Sequence, residues 1–177
     1  MIYQSDTIEK EALFEVARLM AAAARTAPKA KGIDTILTMV IDGEEKGAVA
    51  DEMRRIAGDN ENLASFKRDA GNVDASEYVV VVAVIDKPVG LSVCSTCGFE
   101  NCAAAKKAGA PCAFNISDLG TAACSACAVA SHHWVDNRLM YTAGYAVKNL
   151  GLFGTEVRMC LGIPISVSGK SIYFDRK

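Results

Sequence analysis

Apolar residues recur at helical spacing near the start of the chain, which predicts an amphipathic first helix. The positions that share this spacing are Leu13, Val16, Ala17, Met20, Ala23 and Ala24. Ser5 or Asp6 can cap this helix at its start, and Pro28 breaks the pattern at its end. We therefore expect one face of the helix to pack against the core.

Two apolar runs in the first half of the chain predict strands. Residues 33–41 are rich in β-branched and aliphatic side chains and end at a turn formed by Asp42 and Gly43. Residues 78–85, YVVVVAVI, show no polar alternation, so both faces of this strand should be buried in the middle of a sheet. Between the two strands, residues 44–57 carry acids first and arginines last, as the helix dipole favours. A helix that ends at Gly58 is expected there, followed by a shorter one over residues 63–69.

The second half alternates helices with strand-like runs, without a regular βαβ series. Helices are predicted over 99–108, 119–131 and 136–150, and strands over 157–167 and 171–174. Ser117 or Asp118 can cap the second of these helices, and Asp136 can start the third. The chain has 177 residues, of which 51% are hydrophobic, and its mean hydropathy is +0.17. These values predict one domain, residues 1–177, with a sizeable buried core.

The charges nearly balance, with 19 basic and 21 acidic residues. No global field therefore favours nucleic acid or an anionic membrane surface, and we expect neither as a partner. The first residues lack the features of a secretory signal, and no apolar run is long enough to span a bilayer. These observations predict a cytoplasmic protein, in which cysteines remain reduced and a dense group of them binds metal or takes part in redox chemistry.

Four of the seven cysteines lie in one segment, residues 94–112. Cys94, Cys97 and Cys102 form C-x2-C-G-x4-C, and Cys112 follows. Thiolates on a tight turn can hold zinc or an iron–sulfur cluster, and spacing alone separates these poorly. An iron–sulfur cluster is preferred because the third cysteine enters from a helix rather than from a second hairpin knuckle. The alternative is that these thiols are small buried apolar residues.

The other thiols and the histidines favour structural roles. Cys124 and Cys127 form a second C-x2-C, but they face one side of a predicted helix among alanines, which favours packing. A contribution to the metal site or a redox dithiol is the alternative for this pair. Cys160 lies in an apolar strand and should belong to the core, and a structural role is expected for His132 and His133 at a helix end.

A basic link joins the first helix to the first strand. Arg25, Lys29 and Lys31 lie within eight residues, RTAPKAKG. Three cations at such a junction can hold a phosphate or another anion. A solvated surface turn is the alternative interpretation of this segment.

Several motifs together resemble a known family. They are AARTAPKAKGID, the C-x2-C-G-x4-C segment, PCAFNISDLGTA, VDNRLMYTAGYA and GIPISVSGKSIYFDRK. The chain resembles the ferredoxin-domain-containing proteins called DUF2148, and its cysteine segment is similar to the four-iron module of some electron-transfer subunits and corrinoid iron–sulfur proteins. That resemblance implies a [4Fe–4S] cluster on Cys94, Cys97, Cys102 and Cys112.

The layout outside residues 94–112 resembles the nitroreductases, which are flavin-dependent homodimers. The resemblance implies an α+β fold with a central, mostly antiparallel sheet surrounded by helices and a cysteine-rich insert. It also implies FMN binding and a homodimer in which a C-terminal arm, SIYFDRK, reaches the partner chain. The cations of the basic link are then candidate ligands of the flavin phosphate.

These inferences lead to one preferred function and two alternatives. The preferred function is a cytoplasmic redox protein that transfers electrons through an iron–sulfur cluster, alone or to a bound flavin. The alternatives are a zinc-stabilised binding module without redox turnover, and a flavin-binding reductase whose thiols are free. The candidate activity is that of an oxidoreductase, but the residues do not indicate a substrate or a redox partner.

Overall fold

The computed structural model describes residues 1–154 and 156–175. Within them, six α-helices surround a four-stranded sheet. The helices are α1 Ser5–Thr26, α2 Gly43–Ala57, α3 Ala64–Ala75, α4 Cys102–Lys107, α5 Ala113–His132 and α6 Tyr141–Asn149. The strands are β1 Ile36–Ile41, β2 Tyr78–Val84, β3 Asp136–Asn137 and β4 Met159–Ser166.

The sheet is antiparallel throughout and has the order β1-β2-β4-β3. Strand β2 lies inside the sheet, where Val81 is opposite Met39 of β1 on one side and Gly162 of β4 on the other. All seven residues of β2 are buried. The buried central strand predicted from the unbroken apolar run is therefore confirmed, as is the α+β class with helices around a mostly antiparallel sheet.

Two hydrophobic cores lie on the two faces of the sheet, and β2 contributes to both. Because successive side chains of a strand point to opposite faces, Val80 and Val82 pack with α1 and α5. Val79 and Val81 pack with α2, α3 and α6 on the other face. The helices thus form one layer on each side of the sheet.

Helix α6 approaches strand β4 closely at two glycines. A methyl group at Gly144 would lie 2.1 Å from the carbonyl oxygen of Cys160, and one at Gly162 would lie 2.7 Å from the Cβ of Ala143. Real Cβ atoms do not approach other atoms this closely, so glycine is required at both positions. The absence of these two side chains brings the backbone of α6 directly onto β4.

The boundaries of α5 and α6 differ from the sequence-based prediction. Helix α5 begins at Ala113 rather than near residue 119, because Asp118 is not a cap. Its carboxylate instead accepts the backbone N–H of Ala30, at 3.2 Å, and so joins α5 to the basic link. Helix α6 begins at Tyr141, since Asp136 and Asn137 pair with the end of β4 as the short strand β3.

Residues 171–174 form a turn and not the predicted strand. Tyr173 is buried there, and its hydroxyl lies 3.0 Å from Ser76 Oγ. The Arg138 guanidinium donates to the backbone carbonyl of Tyr173 and to the Asp175 carboxylate. Asn72 Nδ2 also donates to Asp175, at 2.7 Å. The described part of the predicted C-terminal arm therefore docks on its own chain, while Arg176 and Lys177 lie outside the described residues.

The docking of this C-terminal segment should weaken in acid. Burial would raise the pKa of Asp175, but hydrogen bonds from Arg138 and Asn72 outweigh it and hold this pKa below its ordinary value. A carboxylate of lowered pKa contributes stability above the ordinary carboxyl range, and that contribution is lost as the pH falls through the folded value. We expect the Tyr173 ring resonances in NMR spectra to move towards unfolded shifts below the ordinary pKa of about 3.8.

The matched variant for this prediction is Asp175→Asn. It should weaken docking already at neutral pH, at a cost of about 1 kcal/mol for a partly exposed charged hydrogen bond. It should also remove the acid dependence of the Tyr173 shifts. An unchanged acid dependence in Asp175→Asn would assign the effect to another carboxylate.

Candidate functional site

The four clustered cysteines line one small cavity in the structure. Between the end of β2 and Cys102 the chain has no regular secondary structure, and Cys94 and Cys97 lie in this loop. Both face a cavity of about 20 Å³, together with Cys102 and Cys112. All four side chains are half-buried. The fold therefore brings together the thiols that the sequence analysis selected as ligands.

Local hydrogen bonds explain the path of the loop through Cys97 and Cys102. The N–H of Gly98 donates to the carbonyl of Ser95, at 2.8 Å, in a tight turn. Gly98 has a φ of +83°, a conformation that favours glycine. Asn101 then caps α4, since its Oδ1 accepts the N–H of Ala104 at 2.9 Å. Cys102 is consequently the first residue of a helix.

Cys112 is held at the N-cap of α5 by contacts with the end of β2. Its N–H donates to Asp86 Oδ1, at 3.4 Å. Asn115 Oδ1 accepts the N–H of Lys87, at 3.1 Å, and Asn115 is only 1% exposed. Two side-chain contacts thus join the strand exit to the start of α5. The roles of Asp86 and Asn115 are not evident from the sequence, because each side chain accepts a backbone N–H more than 25 residues away.

The electrostatics of the cavity favour a thiolate at Cys94. Hydrogen bonds with the backbone and side chain of Thr96 lower the pKa of Cys94. Cys112 lies at the N-terminus of a 20-residue helix, where the helix dipole favours negative charge. Soft thiolate donors at such a position fit an iron–sulfur cluster. In the described parts of the chain, no three His, Cys, Asp or Glu side chains are already arranged to hold a metal ion.

The other three cysteines lie away from this cavity. Cys124 is exposed on α5, one turn before the half-buried Cys127. Burial, with a smaller effect of Cys124, raises the pKa of Cys127 to about 11. Cys160 is buried in the core of β4, as predicted, and burial raises its pKa to about 11. At neutral pH the thiols of Cys127 and Cys160 are therefore protonated, as expected of packing residues.

Two of the three cations in the basic link serve the fold of their own chain. The Lys29 ammonium donates to the carbonyls of Arg25 and Ala27, at 2.5 and 2.9 Å, and so satisfies carbonyls at the end of α1. The Arg25 guanidinium pairs with Asp34 and donates to the carbonyl of Ile36. Lys31 is exposed, with a φ of +54°. Of the predicted anion ligands, Lys31 therefore extends to solvent, and the other two have internal partners.

Among the described residues there is no helix with the length and apolar character needed to cross a membrane.

The fold itself is shared with nitroreductases of known structure. The crystal structure of a nitroreductase with bound FMN from Desulfitobacterium hafniense superposes with a TM-score of 0.60 over 89% of this chain and 79% of that one, at 14% identity. A nitroreductase family protein from Clostridium novyi gives 0.59 over 94% and 76%, at 13% identity. An FMN-dependent nitroreductase from Clostridium difficile gives 0.55 over 92% and 78%, at 17% identity. The predicted nitroreductase-like scaffold is confirmed.

Sequence comparison identifies the family. An uncharacterized protein from Archaeoglobus fulgidus is 41% identical over 187 aligned positions, which cover 99% of this chain and 98% of that protein. The model of a family described as uncharacterized proteins containing a ferredoxin domain matches residues 108–176, a range that includes Cys112 and begins after Cys102. The predicted family is thus confirmed, and the chain belongs to the ferredoxin-domain family DUF2148.

Proposed function

We propose that residues 1–177 form a single-domain redox protein that binds a [4Fe–4S] cluster and transfers electrons. The proposed ligands are Cys94, Cys97, Cys102 and Cys112, in the cysteine-rich insert 94–112. One observation supports the proposal above all: the four thiols of the motif line the same cavity, although they come from a loop and from the starts of two helices. The family description, which includes a ferredoxin domain, agrees with such a role.

The residues around the thiols would supply the environment that a cluster needs. Such a cluster carries one electron at a time between a donor and an acceptor. The N-terminus of α5 offsets negative charge on the thiolates, and the side chain of Asp86 holds Cys112 in position. The half-buried positions of the cysteines keep the site close to the surface, within reach of a redox partner. The identity of that partner is not indicated by the residues.

A flavin is the second cofactor of this proposal. The specific support is the shared fold with a nitroreductase that contains bound FMN. Arg25, Lys29 and Lys31 are the candidate phosphate ligands, with Lys31 the most accessible because the other two already bind their own chain.

We also propose a homodimer, on the basis of the resemblance to nitroreductases, and light scattering coupled to gel filtration tests it directly.

Elemental analysis combined with an optical spectrum tests the cluster. Protein purified without oxygen should contain iron and acid-labile sulfide in equal amounts and should absorb broadly in the visible range. One zinc without sulfide would instead support the binding module. Absence of both iron and zinc after anaerobic reconstitution would overturn the proposal and leave the thiols free.

Added FMN that remains bound through gel filtration would support the flavin, and its loss in Lys31→Ala would identify its phosphate site.

A further inference from the structure

A second cavity, of about 360 Å³, lies between α6, β4 and the start of α5. Its principal lining residues are Tyr141, Tyr145, Lys148, Arg158, Cys160 and Pro111. Cys160 is buried and forms the floor, while Tyr141, Tyr145, Lys148 and Arg158 are exposed and surround the mouth. A volume of this size accommodates a small organic molecule. The basic link contributes no side chain to this cavity, and the cysteine-rich segment 94–112 contributes only Pro111, the neighbour of Cys112.

The spacing of residues along α6 explains how this cavity is built. Tyr141, Tyr145 and Lys148 follow one another at intervals of four and three residues, so they share one face of the helix. The glycine contact at Gly144 presses α6 onto β4 and fixes the distance between this face and Cys160. The walls of the cavity are therefore positioned by the close contact between α6 and β4.

The aromatic rings at the mouth offer an angled apolar surface. The Tyr141 and Tyr145 rings lie 5.7 Å apart with an interplanar angle of 47°. Phe66 packs edge-on against both, at 6.4 and 6.2 Å, and supports them from behind. A supported pair of tyrosine rings suits a planar aromatic ligand, because aromatic groups prefer tilted or offset contacts at these distances.

Two cations beside the rings donate to backbone carbonyls. Lys148 Nζ donates to the backbone carbonyl of Arg158, at 2.9 Å, and Arg158 Nη2 donates to the carbonyl of Gly109, at 2.9 Å. A carbonyl orients a cation without neutralising it, so both side chains have further donors available for an anion. The carboxylates of Asp86 and Glu156 lie in the adjoining cleft on the other side of Arg158, and neither lines this cavity.

We propose that this cavity binds a small aromatic carboxylate. The ring of the ligand would lie against Tyr141 and Tyr145, and its carboxylate would accept hydrogen bonds from Lys148 and Arg158, since a guanidinium matches a planar carboxylate. This site is separate from the proposed cluster and does not depend on it. The two cavities share a stretch of chain, because Pro111 lines one and its neighbour Cys112 lines the other.

The test is an NMR titration of the full chain with benzoate, with the neutral isostere benzamide as the ligand control. Benzoate should cause saturable shifts of the Tyr141 and Tyr145 ring resonances, and benzamide should bind at least about tenfold more weakly, as expected when charged hydrogen bonds are lost. Lys148→Gln and Arg158→Gln should each weaken benzoate binding by a similar factor. Lys107→Gln, which removes an exposed cation of α4 outside the cavity, should leave it unchanged.

Three outcomes would overturn the proposal. They are equal binding of benzoate and benzamide, unchanged benzoate binding in Lys148→Gln, and binding of phenyl phosphate at least about tenfold tighter than benzoate, which would assign a phosphate ligand. Circular dichroism of each variant shows whether it is folded. Lys148→Gln keeps the test decisive if Arg158→Gln does not fold, because Lys148 is exposed at the surface of α6. Iron and sulfide content measured on the same samples shows whether benzoate binding is independent of the cluster.

Discussion

Replacing Cys97 by alanine should abolish the cluster while leaving the protein folded. In our proposal each of the four thiolates binds one iron, so the variant leaves one iron without its protein ligand. We expect iron and sulfide content, and the visible absorbance, to fall at least about tenfold in anaerobic preparations, as the loss of roughly 1.4 kcal/mol or more of binding free energy requires. The side chain is half-buried in a loop, so its removal opens no core cavity.

The matched control is Cys124→Ala, which removes an exposed thiol from α5. Cys124 does not line the cavity of the four clustered cysteines, so iron and sulfide should remain at the level of the unmodified protein. The same comparison with Cys112→Ala tests the fourth ligand. A Cys97→Ala protein that retains full iron and sulfide would exclude Cys97 as a ligand, and loss of metal in Cys124→Ala alone would move the site to the second C-x2-C pair.

The largest effect on stability is expected for Gly144→Ala. The added methyl group would lie 2.1 Å from the carbonyl oxygen of Cys160 and 2.7 Å from the Cα of Leu161, both of which are backbone atoms of a central element. No side-chain rotation can relieve such a contact, so α6 must separate from β4. We expect the free energy of unfolding to fall by about 3 kcal/mol or more, the upper range for overpacking. Urea denaturation followed by circular dichroism measures it.

Gly71→Ala provides the control for helix propensity. Gly71 lies within α3 on an exposed position, and a methyl group there would meet no atom within 4 Å. Alanine should therefore stabilise the protein by roughly 0.5–1 kcal/mol, because it lowers the entropy cost of the helix. Equal effects of the two substitutions would show that the α6–β4 contact is not as close as described.

The parts of the fold that the sequence predicted well are those set by local pattern. The periodicity around Leu13 and Met20 identifies α1, and the apolar run at Val79–Val82 identifies β2 as a doubly buried strand. Both signals arise because one element must bury a particular face. The cysteine spacing also selected four thiols that the fold gathers at one cavity, since a turn and two helix starts lie close together along the chain.

The features that the sequence did not indicate depend on contacts between distant residues. Asp118 resembles a helix cap, yet it binds the backbone of Ala30 across 88 residues. Asp136 resembles another cap, yet it pairs with Ser166 in the sheet. The cavity lined by Tyr145 and Arg158 forms only after α6 is pressed onto β4. Local propensity cannot determine such pairings, because a polar side chain takes the partner that tertiary packing supplies.

The alternation of side chains along β2 has a consequence for how the protein unfolds. Val80 belongs to the core beneath α1 and α5, while Val79 and Val81 belong to the core beneath α2, α3 and α6. Neither core can lose its packing without exposing a strand that the other core needs. We therefore infer that the two layers melt together in one cooperative transition, and that damage to either face is felt on both sides of the sheet.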